Sequence, residues 1–341
     1  MNLDLIRWWT NWMPFEDYEL KMRDKIDSDS IDYSEALKPQ QFSNCEEQLL
    51  SYMPWVGNEC KDKHFRFTKS CTDAIDAIFK PYIEDENSLV ITSVLEHPSV
   101  VNNLKKCKNV LALNAGFTLL RNPYIIKEMC KQTGDKRYSK ILIYIVGTYI
   151  AFGNIHSNYL IEKIQQRARL MSDNVCTVLD DCQGMFLVPR DYSIYDYVLC
   201  TSHALTRLDS GIVFSKHDNI GVKALEPATL LTQRLEPVIK RREKLAMFKN
   251  VMSQYFDTYR DRFEQIELYN SVPYIFSIDD VNHYISDEDS VMLEKYGIRF
   301  DGRESDNERR LVRFRAMHFL FFPQDLIEGI QFFEDFMQEI F

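Results

Sequence analysis

The sequence predicts an α/β protein in three layers, a mostly parallel β-sheet between helices, followed by a smaller C-terminal α+β domain. The first observation is that residues 64–216 alternate short apolar runs with segments of helical periodicity. That alternation favours right-handed β-α-β crossovers and therefore a parallel sheet. The second observation is that residues 178–181 read Val-Leu-Asp-Asp, an apolar run that ends in acid. Buried strands with polar ends are typical of sheets whose chemistry lies at the carboxyl edge.

The predicted elements of the large domain follow from that alternation. Strands are predicted at 64–70, 88–97, 109–115, 140–149, 176–181, 195–200 and 211–214. Helices are predicted at 71–83, from 97 onward, at 122–132 and at 158–171. In these helical segments apolar residues recur every three or four positions, which places them on one face. Up to residue 181 each helix lies between two strands, as a crossover requires.

The character of the chain changes after residue 216, which predicts a second domain. Residues 226–266 are rich in charge and predict one long helix or a broken pair of helices, with Pro227 and Pro237 as interruptions. Strands of a small sheet are predicted at 271–279, 296–303 and 309–317, with a closing amphipathic helix at 323–341. The predicted divisions are an N-terminal arm at 1–60, a large domain at 61–225, a linker helix at 226–266 and a small domain at 267–341.

Composition excludes several classes of protein. Apolar residues make up 45% of the chain and charged residues 27%, which argues against disorder, and the net charge of −10 disfavours a nucleic-acid binder. The eight cysteines form no Cys-x-x-Cys pair, so reduced thiols are expected rather than a disulfide framework or a zinc site. No apolar run reaches the ~18–20 residues of a spanning helix, and charge interrupts the N-terminus too often for a signal peptide. A cytoplasmic protein without membrane contact is expected.

Two short motifs carry a resemblance to a known family. Residues 180–183 read Asp-Asp-Cys-Gln, and residues 201–204 read Thr-Ser-His-Ala. They resemble fold-type I, pyridoxal-phosphate-dependent enzymes, in the branch of class V aminotransferases and cysteine desulfurases. That branch has an acid, two small residues and a glutamine, then Ser/Thr-x-His-Lys about twenty residues on. The lysine holds the cofactor as a Schiff base, and Ala204 stands in its place. The resemblance covers roughly residues 64–216, and 290–341 more loosely.

The resemblance implies roles for three residues around the ring of pyridoxal 5'-phosphate. Asp180 would bond the pyridine nitrogen and keep it protonated, and Gln183 would donate to the ring oxygen. His97, in a Glu-His-x-Ser sequence, would stack on the ring. Alternatives stay open from the residues alone: Asp180 as a turn or cap residue, and His97 as a histidine satisfied at a strand-to-helix turn before Pro98.

The phosphate and the substrate have their own candidate residues. Residues 67–74, Phe-Thr-Lys-Ser-Cys-Thr-Asp-Ala, resemble the family's phosphate-binding helix start, so the amides of Cys71 and Thr72 and the Thr72 hydroxyl are candidates. Thr201 and His203 would bind the phosphate from its other side. The same residues also read as an ordinary helix cap. Arg313 resembles the family's carboxylate-binding arginine. Arg315, in the same strand phase, is an alternative to it, and a solvated basic strand edge is another.

Departures from the family define two hypotheses about function. Ser70 replaces a glycine, only Gly211 of the usual glycine-rich turn remains, and 302–313 lacks the cysteine of a desulfurase. Ala204 can neither form a Schiff base nor move the alpha proton. We favour an enzyme that transforms an amino acid or amine, as a transaminase or lyase, in which Ala204 replaces a catalytic lysine by substitution. The alternative is a natural lysine-less homologue that acts as a binding or assembly partner. The family implies a homodimer.

Overall fold

The computed structural model describes residues 28–31, 33, 39–93, 97–113, 124–147, 158–182, 184–240, 248, 251–252, 254, 263–265, 274–278, 287–301, 310–314 and 323–340. Contacts between backbones divide the chain into two compact units. The first comprises Lys25–Tyr149 and His156–Glu236, and the second comprises Met1–Asp24, Ile150–Ile155 and Pro237–Phe341. Each unit contains one sheet.

The larger unit contains a seven-stranded mixed sheet. Its strands are β1 (His64–Thr68), β2 (Ser88–Ser93), β3 (Val110–Leu113), β4 (Lys140–Val146), β5 (Val175–Asp180), β6 (Tyr197–Thr201) and β7 (Gly211–Ser215). The order across the sheet is β1-β7-β6-β5-β4-β2-β3, and β7 alone among these strands runs in the direction opposite to the other six. The predicted mostly parallel sheet is confirmed. The carboxyl ends of its other six strands therefore lie at one edge.

The helices of this unit are α1 (Pro39–Ser51), α2 (Cys71–Ile83), α3 (Pro98–Leu104), α4 (Tyr124–Thr133), α5 (Asn158–Arg169), α6 (His203–Thr206) and α7 (Leu225–Lys240), of which residues 225–236 belong to this unit. Two 3-10 turns, Ser28–Ser30 and Asn58–Cys60, accompany them.

Successive side chains of a strand point to opposite faces of the sheet, so the helices can pack on both faces. Val178 packs with α2 in the apolar core, whereas Thr177 accepts a hydrogen bond from Gln165 of α5 at 3.0 Å.

The core between the sheet and α2 and α3 consists of apolar side chains with little or no exposure. Its members include Ala74, Ile75, Ile78, Phe79, Val90, Val100, Leu142, Tyr144, Val146, Val178, Leu199 and Val213. They come from five strands and both helices, so this layer fixes the positions of the strand ends against the start of α2. The three-layer prediction is confirmed, since α2 and α3 pack on one face of the sheet and α5 contacts the other.

The second unit contains an antiparallel sheet of order β10-β11-β9-β8. Its strands are β8 (Phe263–Gln265), β9 (Tyr274–Ile278), β10 (Ile298–Asp301) and β11 (Arg310–Phe314), with helices α8 (Asp287–Lys295) and α9 (Pro323–Ile340). Three of the strands and α9 fall where the sequence predicts them.

The prediction of one long helix or a broken pair of helices over 226–266 is wrong at its end. Residues 263–265 form β8, in which Phe263 pairs with Ile278 of β9. Backbone pairing to an existing strand overrides the local charge pattern here, because a strand edge offers hydrogen bonds that an isolated helix end lacks.

Candidate functional site

Asp180 ends β5 and is held by two donors. The Tyr144 hydroxyl on β4 donates to Asp180 Oδ2 at 2.8 Å, and the amide of Cys182 donates to Oδ1 at 3.3 Å. Asp180 has the same strand phase as Val178, so its carboxylate lies on the sheet face that α2 covers. Because a carboxylate can accept about four hydrogen bonds, these two donors fix it and leave capacity for a ligand.

The start of α2 lies at the same edge and is capped as the sequence predicts. Ser70 Oγ accepts the amide of Asp73 at 3.1 Å and donates to Asp73 Oδ2 at 2.9 Å. Thr68 Oγ1 donates to the Ser70 carbonyl at 2.6 Å. Among the hydrogen bonds of the described residues, none uses the amide of Cys71 or Thr72. Both amides therefore stay available at the positive end of the helix dipole.

Gly211, at the start of β7, packs closely against the residues that precede α2. A Cβ on Gly211 would lie 2.3 Å from Thr68 Oγ1 and 2.5 Å from the Ser70 carbonyl oxygen. A residue with a side chain would push the start of α2 away from the sheet. This is the one glycine that the chain keeps from the family's glycine-rich turn.

A sulfur contact joins the start of α2 to the loop after β5. Cys71 Sγ lies 3.8 Å from Cys182 Sγ, and Cys182 is two residues beyond Asp180. The predicted phosphate-binding turn and the predicted pyridine-binding carboxylate therefore share one edge of the sheet. Their sequence separation exceeds a hundred residues, so the fold brings them together.

The Thr-Ser-His-Ala segment forms the end of β6 and the first turn of α6. Thr201 Oγ1 accepts the amide of His203 at 3.4 Å, and Ser202 Oγ donates to the Ser210 carbonyl at 3.0 Å. Ala204 lies within α6, whose last turn ends at Arg207 with φ of 59°. A left-handed conformation is unfavourable for any residue with a Cβ, so Arg207 occupies a position that suits glycine.

His97 caps α3 at the same edge. Its Nδ1 accepts the amide of Ser99 at 3.3 Å and lies 2.8 Å from Ser99 Oγ, and Pro98 follows at the first helical position. The alternative of a histidine satisfied at a strand-to-helix turn is therefore observed. The ring is exposed, and its stacking role stays a prediction.

For three predicted site residues, the described part of the chain shows no contact with this edge. Gln183 and Arg315 lie outside the described residues. Arg313 is in β11, where its backbone pairs with Arg299 and Ile275, and β11 belongs to the second unit. Its role in carboxylate binding stays a prediction.

Sequence reasoning did not single out Asp181, which is fully buried. Tyr192 donates its hydroxyl hydrogen to Asp181 Oδ2 at 2.7 Å, and Arg190 Nε lies 3.3 Å from Oδ1. Arg190 is itself almost completely buried. Burial raises the pKa of Asp181, and Arg190 and Tyr192 act in the opposite direction by favouring the carboxylate. Burial and the nearby Asp181 carboxylate raise the pKa of Tyr192.

Two glycines make room for this carboxylate. A Cβ on Gly147 would lie 2.8 Å from Asp181 Oδ1, and a Cβ on Gly184 would lie 2.5 Å from the same atom. Lys63 extends the group from the other side, because its ammonium donates to the Tyr192 carbonyl. We call Asp181, Arg190, Tyr192 and Lys63 the buried charge cluster. The Asp-Asp pair at the end of a strand was the one available signal for it.

The described residues contain no group of three or more histidine, cysteine, aspartate or glutamate side chains placed to hold a metal ion. Among the same residues, no helix is both long enough and apolar enough to cross a membrane.

Comparison with solved structures gives matches over nearly the whole chain. A NifS-like protein from Rickettsia africae matches with a TM-score of 0.65 and 13% identity, covering 94% of this chain and 98% of the other. A second NifS-like protein matches at 0.61 and 12%, covering 96% of each chain. Serine palmitoyltransferase from Sphingomonas wittichii matches at 0.57 and 11%, covering 93% of this chain and 87% of the other.

These likenesses show the fold. A solved serine palmitoyltransferase at 11% identity carries pyridoxal phosphate, so the group of neighbours includes cofactor-bound enzymes. No family model matches the sequence, and no curated protein matches it. The predicted fold class of the large domain, a mostly parallel sheet with flanking helices, is therefore confirmed by structure, at an identity too low to carry over an activity.

Proposed function

We propose that this chain binds pyridoxal 5'-phosphate at the carboxyl edge of its large sheet. The observation that carries the proposal is the 3.8 Å contact between Cys71 and Cys182. It places the open amides of α2 beside the loop that follows Asp180. The helix start can bind the phosphate group of pyridoxal phosphate, and the fixed carboxylate beside it can bind the pyridine nitrogen.

Each candidate residue then has a physical task. The amides of Cys71 and Thr72 would bind the phosphate, with Thr201 and His203 on its other side. Asp180, oriented by Tyr144, would hold a proton on the pyridine nitrogen. Gln183 and His97 would contact the ring. Bound pyridoxal phosphate supplies an electron sink for bonds at the alpha carbon of an amine, and Asp180 strengthens that sink by keeping the ring cationic.

The proposal about activity has two versions, which differ in how Ala204 is interpreted. With lysine at 204, we propose a homodimeric enzyme of transaminase or lyase type that acts on an amino acid or amine, with Arg313 binding the substrate carboxylate. The predicted domain boundaries belong to the same proposal. The alternative, favoured by Ala204 itself, is a lysine-less homologue that keeps the fold as a binding or assembly partner.

Cofactor titration tests binding first. Pyridoxal phosphate is added to the full chain, and near-ultraviolet and visible absorbance is followed, alone and with a panel of amino acids. Saturable spectral change supports the site, and a new band with one amino acid nominates the substrate. A folded sample that gives no saturable change contradicts cofactor binding and favours the partner role.

The Ala204→Lys variant tests the enzyme. We expect it to show an absorbance band that borohydride bleaches, together with turnover of at least one amine or amino acid. Ala204→Arg is the matched control, because it adds a long cation that cannot attach to the cofactor. If the lysine variant binds cofactor yet shows neither the band nor turnover, the enzyme proposal fails and the binding proposal survives.

A further inference from the structure

Two thiols meet at the edge of the large sheet. Cys71 is the first residue of α2 and is half-buried, and its sulfur lies 3.8 Å from that of Cys182. All eight cysteines of the chain are free thiols in the structure. The pair is separated by 111 positions in sequence, so only the folded chain brings these sulfurs together.

We propose that Cys71 and Cys182 form a dithiol site that a small-molecule disulfide, such as oxidised glutathione, converts reversibly into a protein disulfide. A disulfide bond has an S–S length of about 2.05 Å. The sulfurs must therefore approach each other by less than the diameter of one atom. Rotation of the two side chains moves sulfurs by that order of distance, and Cys71 lies at a helix end, where the backbone is least constrained by hydrogen bonds.

The surroundings assign different steps to the two thiols. Cys71 is only half-buried, at the first position of a helix of 13 residues. A hydrogen bond to Cys71, together with burial and the negative charge of Asp180, raises the pKa of Cys182 well above its usual range. Cys71 therefore reacts first, and Cys182 keeps its proton until the second step.

The exchange balances without any further reactant. The Cys71 thiolate attacks one sulfur of the small disulfide, forming a mixed disulfide and releasing one thiolate. Cys182 then attacks Cys71 Sγ, which forms the protein disulfide and expels the second thiolate. The proton that Cys71 releases to solvent and the proton of Cys182 go to the two departing thiolates. The two protein sulfurs are oxidised, and the small disulfide is reduced to two thiols.

Two other cysteines provide comparisons. Cys200 is completely buried, with its sulfur 3.9 Å from the Cys182 carbonyl oxygen, and burial raises its pKa well above the usual range. Cys130 is exposed on α4. If proximity of sulfurs governs the reaction, Cys71 and Cys182 link to each other, Cys200 stays reduced, and Cys130 forms at most a mixed disulfide.

The experiment incubates the full chain with oxidised glutathione and then counts thiols and maps peptides without reduction. We expect a Cys71–Cys182 linked peptide, a loss of two of the eight thiols beyond any mixed disulfide formed at Cys130, and recovery of the lost thiols with dithiothreitol. Cys182→Ser should stop at a glutathionyl group on Cys71, and Cys71→Ser should remove the linked peptide. Cys200→Ser and Cys130→Ser, as matched controls, should leave the link intact.

Two results would overturn the dithiol site. One is a sample, folded by circular dichroism, that yields no linked Cys71–Cys182 peptide after its exposed Cys130 has become glutathionylated. The other is a link that disappears in Cys200→Ser, which would assign the pair to different sulfurs. Neither readout needs pyridoxal phosphate, so failure here is distinct from failure of the proposed cofactor site.

A second arm rests on the proposed function. If the amide of Cys71 binds the cofactor phosphate, pyridoxal phosphate at about ten times its dissociation constant should slow the linkage about tenfold, because only the free protein reacts. Equal rates with the cofactor bound, in a sample whose titration is saturable, would overturn the claim that the dithiol lies in the cofactor site.

Discussion

Asp180 and Asp181 are adjacent in the chain, but their surroundings differ. Asp180 receives a tyrosine hydroxyl and one backbone amide at the edge of the sheet, beside the open start of α2. Asp181 is fully enclosed and is paired with Arg190, which is itself buried. The first arrangement leaves capacity for a ligand, whereas in the second one oxygen accepts the Tyr192 hydroxyl and the other lies 3.3 Å from a buried guanidinium. One carboxylate therefore suits binding, and its neighbour suits stability.

The largest expected effect comes from Asp181→Ala. Removing the carboxylate takes the Asp181 counter-ion away from the buried Arg190 guanidinium, which should lower the free energy of unfolding by about 3–5 kcal/mol. Urea unfolding of both proteins measures this loss. Asp180→Ala is the matched control and should cost only about 1–3 kcal/mol, because it removes the acceptor of a neutral hydroxyl. Equal losses of stability in the two variants would contradict the conclusion that Asp181 contributes more to stability than Asp180.

Lys63, in the buried charge cluster, gives a pH dependence. Burial lowers its pKa from 10.5 to about 8. Between these two values the unfolded chain keeps the proton and the folded chain releases it, so stability should rise as pH rises through this window. The maximum contribution is about 3 kcal/mol, from the shift at 1.36 kcal/mol per pKa unit. Unfolding of the wild type and of Lys63→Met between pH 8 and 10.5 checks this, since the variant should show a smaller slope. Parallel curves for the two proteins would contradict it.

The Asp180→Asn variant tests the proposed cofactor site at the carboxyl edge of the large sheet through its affinity for pyridoxal phosphate. Loss of a charged hydrogen bond should weaken pyridoxal phosphate binding about 10–100-fold, while the amide keeps a similar shape and most of the stability. Absorbance titration gives the affinity, and urea unfolding gives the stability. Asp73→Asn removes a different carboxylate, near the start of α2, and should bind the cofactor as tightly as the wild type or more tightly. An unchanged affinity in Asp180→Asn would exclude Asp180 from the ring site.

The smallest effect is expected at Arg207, where φ is 59°. Arg207→Gly should raise the free energy of unfolding by about 0.5–1 kcal/mol, because glycine adopts this conformation without strain. The opposite change at Gly221, whose φ is 75° and whose added Cβ would lie 2.8 Å from the Phe67 carbonyl oxygen, should destabilise the protein. A loss of stability in Arg207→Gly would mean that the arginine side chain makes contacts worth more than the strain.

The fold could be predicted from sequence because its signals are local. Apolar runs mark strands, Ser70 and Pro98 mark helix starts, and the regular alternation fixes the crossovers. The end of the linker segment could not, since Phe263 enters a strand only through its pairing with Ile278. A partner in another element decides that outcome, and a pattern within one segment does not contain it.

The candidate site was predictable only in part for the same reason. Asp180 stands out as an acid at a strand end, and Cys71 and Thr72 stand out as a helix start. The residues that orient them do not: Tyr144 lies in the middle of an apolar strand, and Arg190 follows a proline in a loop. Their contacts connect distant segments, so their roles become visible only when the strands are placed side by side.

Gly147, Gly184 and Asp181 also limit how the sequence can change over time. Any larger residue at either glycine would collide with Asp181 Oδ1. A substitution of Asp181 that removes the carboxylate also removes its ion pair with Arg190. No single substitution among these positions is neutral, although a joint replacement by residues of matching volume can be. We therefore expect the three positions to be inherited as one unit, changing together in descendants of this chain or not at all.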